Sequence, residues 1–89
     1  MELVKKYSII WSHTAYNSFS KLESDIKLRI NKKLEEMITD PFLFSKRLTG
    51  SPLFSLRVGD YRILLMIDVK TKIMAIERVG LRKKVYDKL

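Results

Sequence analysis

The sequence predicts a small α+β domain with the element order βααβββ, a mainly antiparallel four-stranded sheet carrying an N-terminal helical hairpin on one face. Three observations lead there. The 89 residues, 46% of them apolar, suffice for one modest core and not for a second folding unit. The first half shows one alternating apolar segment followed by helical spacing, and the second half shows three strand-like runs separated by two short polar turns. The turn between the first two of those runs is Gly59-Asp60, a two-residue hairpin signal.

Taken in order, Tyr7-Ser8-Ile9-Ile10-Trp11 places large apolar residues at alternate positions 7, 9 and 11, is β-branched or aromatic in character, and predicts a first strand over about 4–11. Ser12 then stands where a helix N-cap belongs, its hydroxyl able to accept from the free N–H groups of a first turn. A helix over about 13–22 places Tyr16, Phe19 and Leu22 at helical spacing. A second helix restarts near Ser24 or Asp25, with Ile26, Ile30, Leu34, Met37 and Ile38 on one stripe and Lys27, Arg29, Lys32, Lys33, Glu35 and Glu36 turned to water. It must end by Asp40, because Pro41 disfavours the α conformation of its predecessor.

Residues 41–52 hold Pro41, Gly50 and Pro52 without a clear period and read as a connecting loop carrying Lys46 and Arg47. From Leu53 the pattern is that of a hairpin. With Gly59 and Asp60 as its loop, Val58 pairs with Tyr61, Arg57 with Arg62 and Leu56 with Ile63. Phe54, Leu56, Val58, Tyr61, Ile63 and Leu65 then share a core face, while Arg57 and Arg62 lie side by side on the other. The second strand runs from Tyr61 to Ile67, Asp68 to Lys72 is a polar turn, and Ile73 to Val79 is the last strand. Gly80 is expected to release the chain into a basic tail containing Arg82, Lys83, Lys84 and Tyr86.

Charge narrows the function classes. The net charge is +8, and it is unevenly spread: residues 1–45 carry seven Lys or Arg against six acids, residues 46–89 eleven against four. That asymmetry is the footprint of a polyanion partner, or, more plainly, of a surface kept basic for solubility. The absence of cysteine excludes disulfides and thiolate chemistry. His13 is the sole histidine, so a two-histidine acid–base pair is impossible; a helix-terminus or surface role is its ordinary reading. Glu35 and Glu36 point about 100° apart on a helix, a poor arrangement for paired-carboxylate catalysis. No glycine-rich phosphate loop, metal-ligand spacing or nucleophile elbow is present, so no cofactor is implied. No apolar run approaches the roughly 18 residues of a membrane span, and the first six residues lack a signal-peptide pattern, so a cytoplasmic protein without membrane contact is expected.

Two arginines directly opposite each other repel by a few tenths to about 1 kcal/mol, so a sheet that carries them either splays them into water or holds them for an anion. A tail returning over that face would add Arg82, Lys83, Lys84 and Tyr86. Guanidinium forks that grip phosphate, beside a ring that stacks on an unpaired base, suit single-stranded RNA. Tyr86 reads equally well as an ordinary packing residue.

The run Leu56-Arg57-Val58-Gly59-Asp60-Tyr61-Arg62-Ile63, followed by Val79-Gly80-Leu81-Arg82-Lys83-Lys84-Val85-Tyr86, resembles the RelE/ParE toxin superfamily over essentially the whole chain. The RelE type is the closer resemblance. It implies the toxin of a type II toxin–antitoxin module, a metal-independent endoribonuclease that cuts mRNA in the ribosomal A site and so inhibits translation. The ParE type, an inhibitor of DNA gyrase on the same fold, is the alternative. Carried over position by position, the resemblance makes Arg62 the phosphate-binding, transition-state arginine, Arg82 the tail arginine proposed as general acid, and Tyr86 the aromatic that stacks on the substrate base. Arg57 and Ser55 stand where a well-studied relative has lysines. A guanidinium keeps its proton, so Arg57 fits an electrostatic clamp better than a general base, which leaves Lys83 or Lys84 as candidates for that role. Lys46 and Arg47 join Lys83 and Lys84 as expected RNA contacts. The implied partners are the ribosome with its mRNA and an acidic RelB-like antitoxin, the toxin alone being monomeric.

Overall fold

A computed structural model describes residues 6–83. In chain order these form β1 (Ser8–Trp11), α1 (His13–Ser20), α2 (Ser24–Met37), α3 (Pro41–Phe44), β2 (Ser45–Arg47), β3 (Phe54–Val58), β4 (Tyr61–Asp68) and β5 (Ile73–Leu81). The α+β class and the helical hairpin stand as expected, but the sheet has five strands, in the order β1-β5-β4-β3-β2. The additional pieces are α3 and β2, inside the segment expected to be a loop. Pro41 is the reason: its fixed φ suits the first turn of a helix, and the four-residue α3 it starts is too short to show a period. β2 then pairs antiparallel with β3 over three residues.

Ser12 caps α1 as expected, its Oγ accepting from the Ala15 N–H at 3.0 Å. Trp11 packs on Phe19 with ring centroids 4.8 Å apart, tying α1 to the strand before it. One stripe of α2 buries Ile30, Leu34 and Met37 against Leu56, Val58, Ile63, Leu65, Met74 and Ile76 of the sheet, and all belong to a single core. β1 pairs parallel with β5, whereas the other three pairings are antiparallel.

The β3–β4 hairpin has the register its turn dictates: Val58 faces Tyr61, Arg57 faces Arg62 and Leu56 faces Ile63. Gly59 adopts φ +59, the left-handed conformation that glycine takes without a Cβ penalty. β5 departs from simple alternation. Leu64 opposes Arg78 but Leu65 opposes Ile76, so Glu77 is an extra residue in β5. This β-bulge lets Ile76 and Val79, three residues apart, both enter the core and leaves Glu77 and Arg78 on the other side. Gly80 does not release the chain. It lies opposite Arg62 within β5, which continues to Leu81.

Candidate functional site

Alternation puts one face of β3, β4 and β5 under the helices and leaves the other uncovered by them. On the uncovered face, Arg57 and Arg62 stand opposite each other at the end of the hairpin. β5 runs through Gly80 to its end at Leu81, and just beyond it the Arg82 N–H donates to the Asp60 carbonyl at 3.0 Å. Arg82 therefore reaches the arginine pair by extension of the strand, and not by a tail folding back. Arg57, Arg62, Arg82 and Lys83 line one open pocket of about 380 Å³, together with Gly59, Asp60 and Leu81.

Main-chain carbonyls hold the Arg62 side chain: its Nη1 donates to Tyr61 O at 3.2 Å and, more weakly, to Gly59 O at 3.5 Å. A carbonyl carries only a partial charge, so the guanidinium keeps its attraction for an anion. Among the described residues Lys33–Glu36 is the one ion pair, and Asp60 pairs with none of the four basic residues beside it. An open basic pocket of this kind attracts and orients phosphate oxygens.

The other expected contacts divide. Pairing of Lys46 with Ser55 places Lys46 on the face of Arg57 and Arg62, two positions away along the neighbouring strand, whereas Arg47 pairs with Phe54 and falls on the helix side. There Arg47 Nε donates to the Ser51 carbonyl at 3.4 Å. Lys46 and Arg47 are thus adjacent in sequence and on opposite faces of the sheet. Lys84 and Tyr86 lie outside the described residues. His13 is the exposed first residue of α1.

The pocket's turn has a neighbour on α2. A Cβ on Gly59 would come within 3.1 Å of Arg29 Nη2, so the Arg29 side chain of α2 packs against the turn that carries Asp60. The sequence shows Arg29 only as one of several charged positions on the wet side of a helix. Its approach to the turn depends on how α2 lies across the sheet, which no local pattern encodes.

A family model described as the ParE toxin of the type II toxin–antitoxin system parDE matches residues 9–86. No curated protein matches the sequence. Among solved structures, the RelBE2 toxin–antitoxin complex of Mycobacterium tuberculosis superposes with a TM-score of 0.77 at 28% identity, covering 86% of this chain and 99% of the other. The isolated E. coli RelE toxin gives a TM-score of 0.77 at 23% identity, over 92% and 93% of the two chains. A YoeB/ParE toxin from Agrobacterium tumefaciens gives 0.70 at 12% identity, over 83% and 96%.

Proposed function

Since the chain belongs to the RelE/ParE superfamily of type II toxin–antitoxin toxins, we propose that it is a ribosome-dependent endoribonuclease that cleaves mRNA in the A site and so arrests translation in the cytoplasm. The observation that carries this reading is the convergence of Arg57, Arg62, Arg82 and Lys83 on one open pocket with no carboxylate paired to them among the described residues. RNA offers such a pocket its phosphates, and it also carries its own nucleophile.

The 2′-hydroxyl attacks the adjacent phosphorus, the bond to the 5′-oxygen breaks, and a cyclic phosphate and a 5′-hydroxyl result. Arg62 and Arg57 bind the non-bridging oxygens and stabilise the negative charge that grows on them, a contribution worth about 10²–10³ in rate for a well-placed donor. Arg82 protonates the departing 5′-oxygen, Tyr86 stacks on the base, and Lys83 or Lys84 takes the proton of the 2′-hydroxyl. Lys46 binds the flanking strand from the pocket's own face, a role that Arg47, on the opposite face, does not share. These acid–base groups are weak, so the ribosome supplies the substrate geometry and free RNA is cut slowly. The partner that restrains this activity is an acidic RelB-like antitoxin that neutralises the basic face; the toxin alone is monomeric.

The test is primer extension on mRNA in a translating ribosome complex, with the wild type beside Arg82→Ala. New 5′ ends at the A-site codon, reduced at least about a hundredfold in the variant, are expected. The ParE description of the matching family favours one second reading, inhibition of DNA gyrase. Absence of cuts together with inhibited supercoiling by purified gyrase would establish that reading instead.

A further inference from the structure

We propose that the uncovered face holds a second, flanking-nucleotide subsite beyond the arginine pocket, in which Arg78 binds a backbone phosphate and the Glu77 carboxylate selects bases that carry an exocyclic amine. The proposal rests on the endoribonuclease reading for its biological use, but its ligand, single-stranded RNA, is testable by binding alone.

A second concavity, of about 550 Å³, lies on the same side of the sheet as the arginine pocket. Met66 of β4 forms part of its floor, Leu53 and Pro52 one wall, and Ser12 with Thr14 another, while Glu77 and Arg78 reach it from the bulge in β5. Its size falls in the range of roughly 300–1,000 Å³ that small organic ligands occupy. Arg78 opposes Leu64, two residues along β4 from Arg62, a displacement of about 7 Å by strand rise. That step is of the order of the phosphate repeat of an extended nucleic-acid strand, so a chain with one phosphate among Arg57, Arg62 and Arg82 brings a neighbouring phosphate to Arg78.

The bulge is what makes the subsite chemically specific. In a regular strand, Glu77 and Arg78 would point to opposite faces; here both line the same concavity. Among the described residues neither side chain has an ion-pair or hydrogen-bond partner. The backbone beneath them is fixed: Ser12 Oγ donates to the Glu77 carbonyl at 3.1 Å, and the Ser12 N–H donates to the Ile76 carbonyl at 2.8 Å. Met66, 40% exposed, and Pro52 give a base an apolar surface to lie on. A carboxylate only accepts hydrogen bonds, so it favours adenine, cytosine or guanine, each with an exocyclic amine, over uracil, whose one donor, N3–H, is flanked by the O2 and O4 acceptors that repel a carboxylate. The track ends there. The next concavity along the face, lined by Met66, Asp68, Thr71 and Glu77 among others, contains no Lys or Arg to bind another phosphate.

Binding of the ribo-oligonucleotides A6, C6 and U6 to the purified toxin and to its Glu77→Gln and Arg78→Ala variants tests the subsite, with thermal unfolding to show that each variant is folded. The expected result is that U6 binds on the order of tenfold more weakly than A6 or C6, and that this gap closes in Glu77→Gln, whose amide can donate to uracil. Arg78→Ala should weaken all three alike and flatten the salt dependence by about one charge. Equal binding of the three oligomers to the wild type, or a base preference unmoved by Glu77→Gln, would overturn the proposal and leave the concavity to another occupant such as the antitoxin. Failure of the wild type to cut mRNA on ribosomes would refute the endoribonuclease reading without touching this result.

Discussion

On its helix side the central sheet carries Leu56, Ile63, Leu65 and Ile76, all at most 1% exposed, while one residue along the same strands the opposite side carries Arg57, Arg62 and Glu77. The two faces share every backbone hydrogen bond and differ only in side chains. The helix side carries most of the apolar burial, while the other, where Leu64 is the fully buried side chain of β4, accepts a like-charged pair directly across two strands, an arrangement with no structural advantage. A sheet organised in this way lets substitutions on one face change the fold and substitutions on the other change chemistry.

That separation can be broken most forcefully from inside. Ile63→Ala, at a fully buried position, should cost about 2–5 kcal/mol in urea unfolding, with activity falling only as the folded fraction falls. A specific loss of cutting in a protein still fully folded would show that the faces are coupled. Gly59→Ala acts at their junction: the left-handed φ +59 costs a Cβ-bearing residue about 1–2 kcal/mol, and the new methyl meets Arg29. Both unfolding midpoint and cutting should move, because the same turn presents Asp60 O to the Arg82 N–H.

Smaller effects sharpen the contrast. Ser12→Ala removes the cap of α1 and should cost about 1 kcal/mol of stability by thermal or denaturant unfolding. Arg57→Ser should raise stability by a few tenths to about 1 kcal/mol, since it relieves the repulsion from Arg62, while weakening RNA binding. A stability loss there would mean that the arginine pair is structural after all.

Much of this arrangement was legible in the chain because it is local. A Gly-Asp turn fixes the pairing of Arg57 with Arg62, period-two alternation assigns their face, and the Ser12 cap and the Pro41 stop bracket the helices. What escaped is either too short or too distant to leave a pattern. Pro41–Phe44 and Ser45–Arg47 are each less than the span over which a period can be recognised, and recognising β2 is what separates Lys46 from Arg47. The bulge at Glu77 shows in sequence only as Ile76 and Val79 standing three apart, which reads as well as an irregular strand end. The parallel pairing of β1 with β5 and the approach of Arg29 to Gly59 join segments remote in the chain.

Whether the arginines of the uncovered face act on RNA without holding the fold is decided by Arg62→Ala, measured in one preparation for urea unfolding and for mRNA cleavage on translating ribosomes. An unfolding midpoint equal to or slightly above that of the wild type is expected, with cleavage lower by about 10²–10³. Cleavage at the wild-type level in the folded variant, or loss of cleavage explained entirely by unfolding, would contradict that expectation.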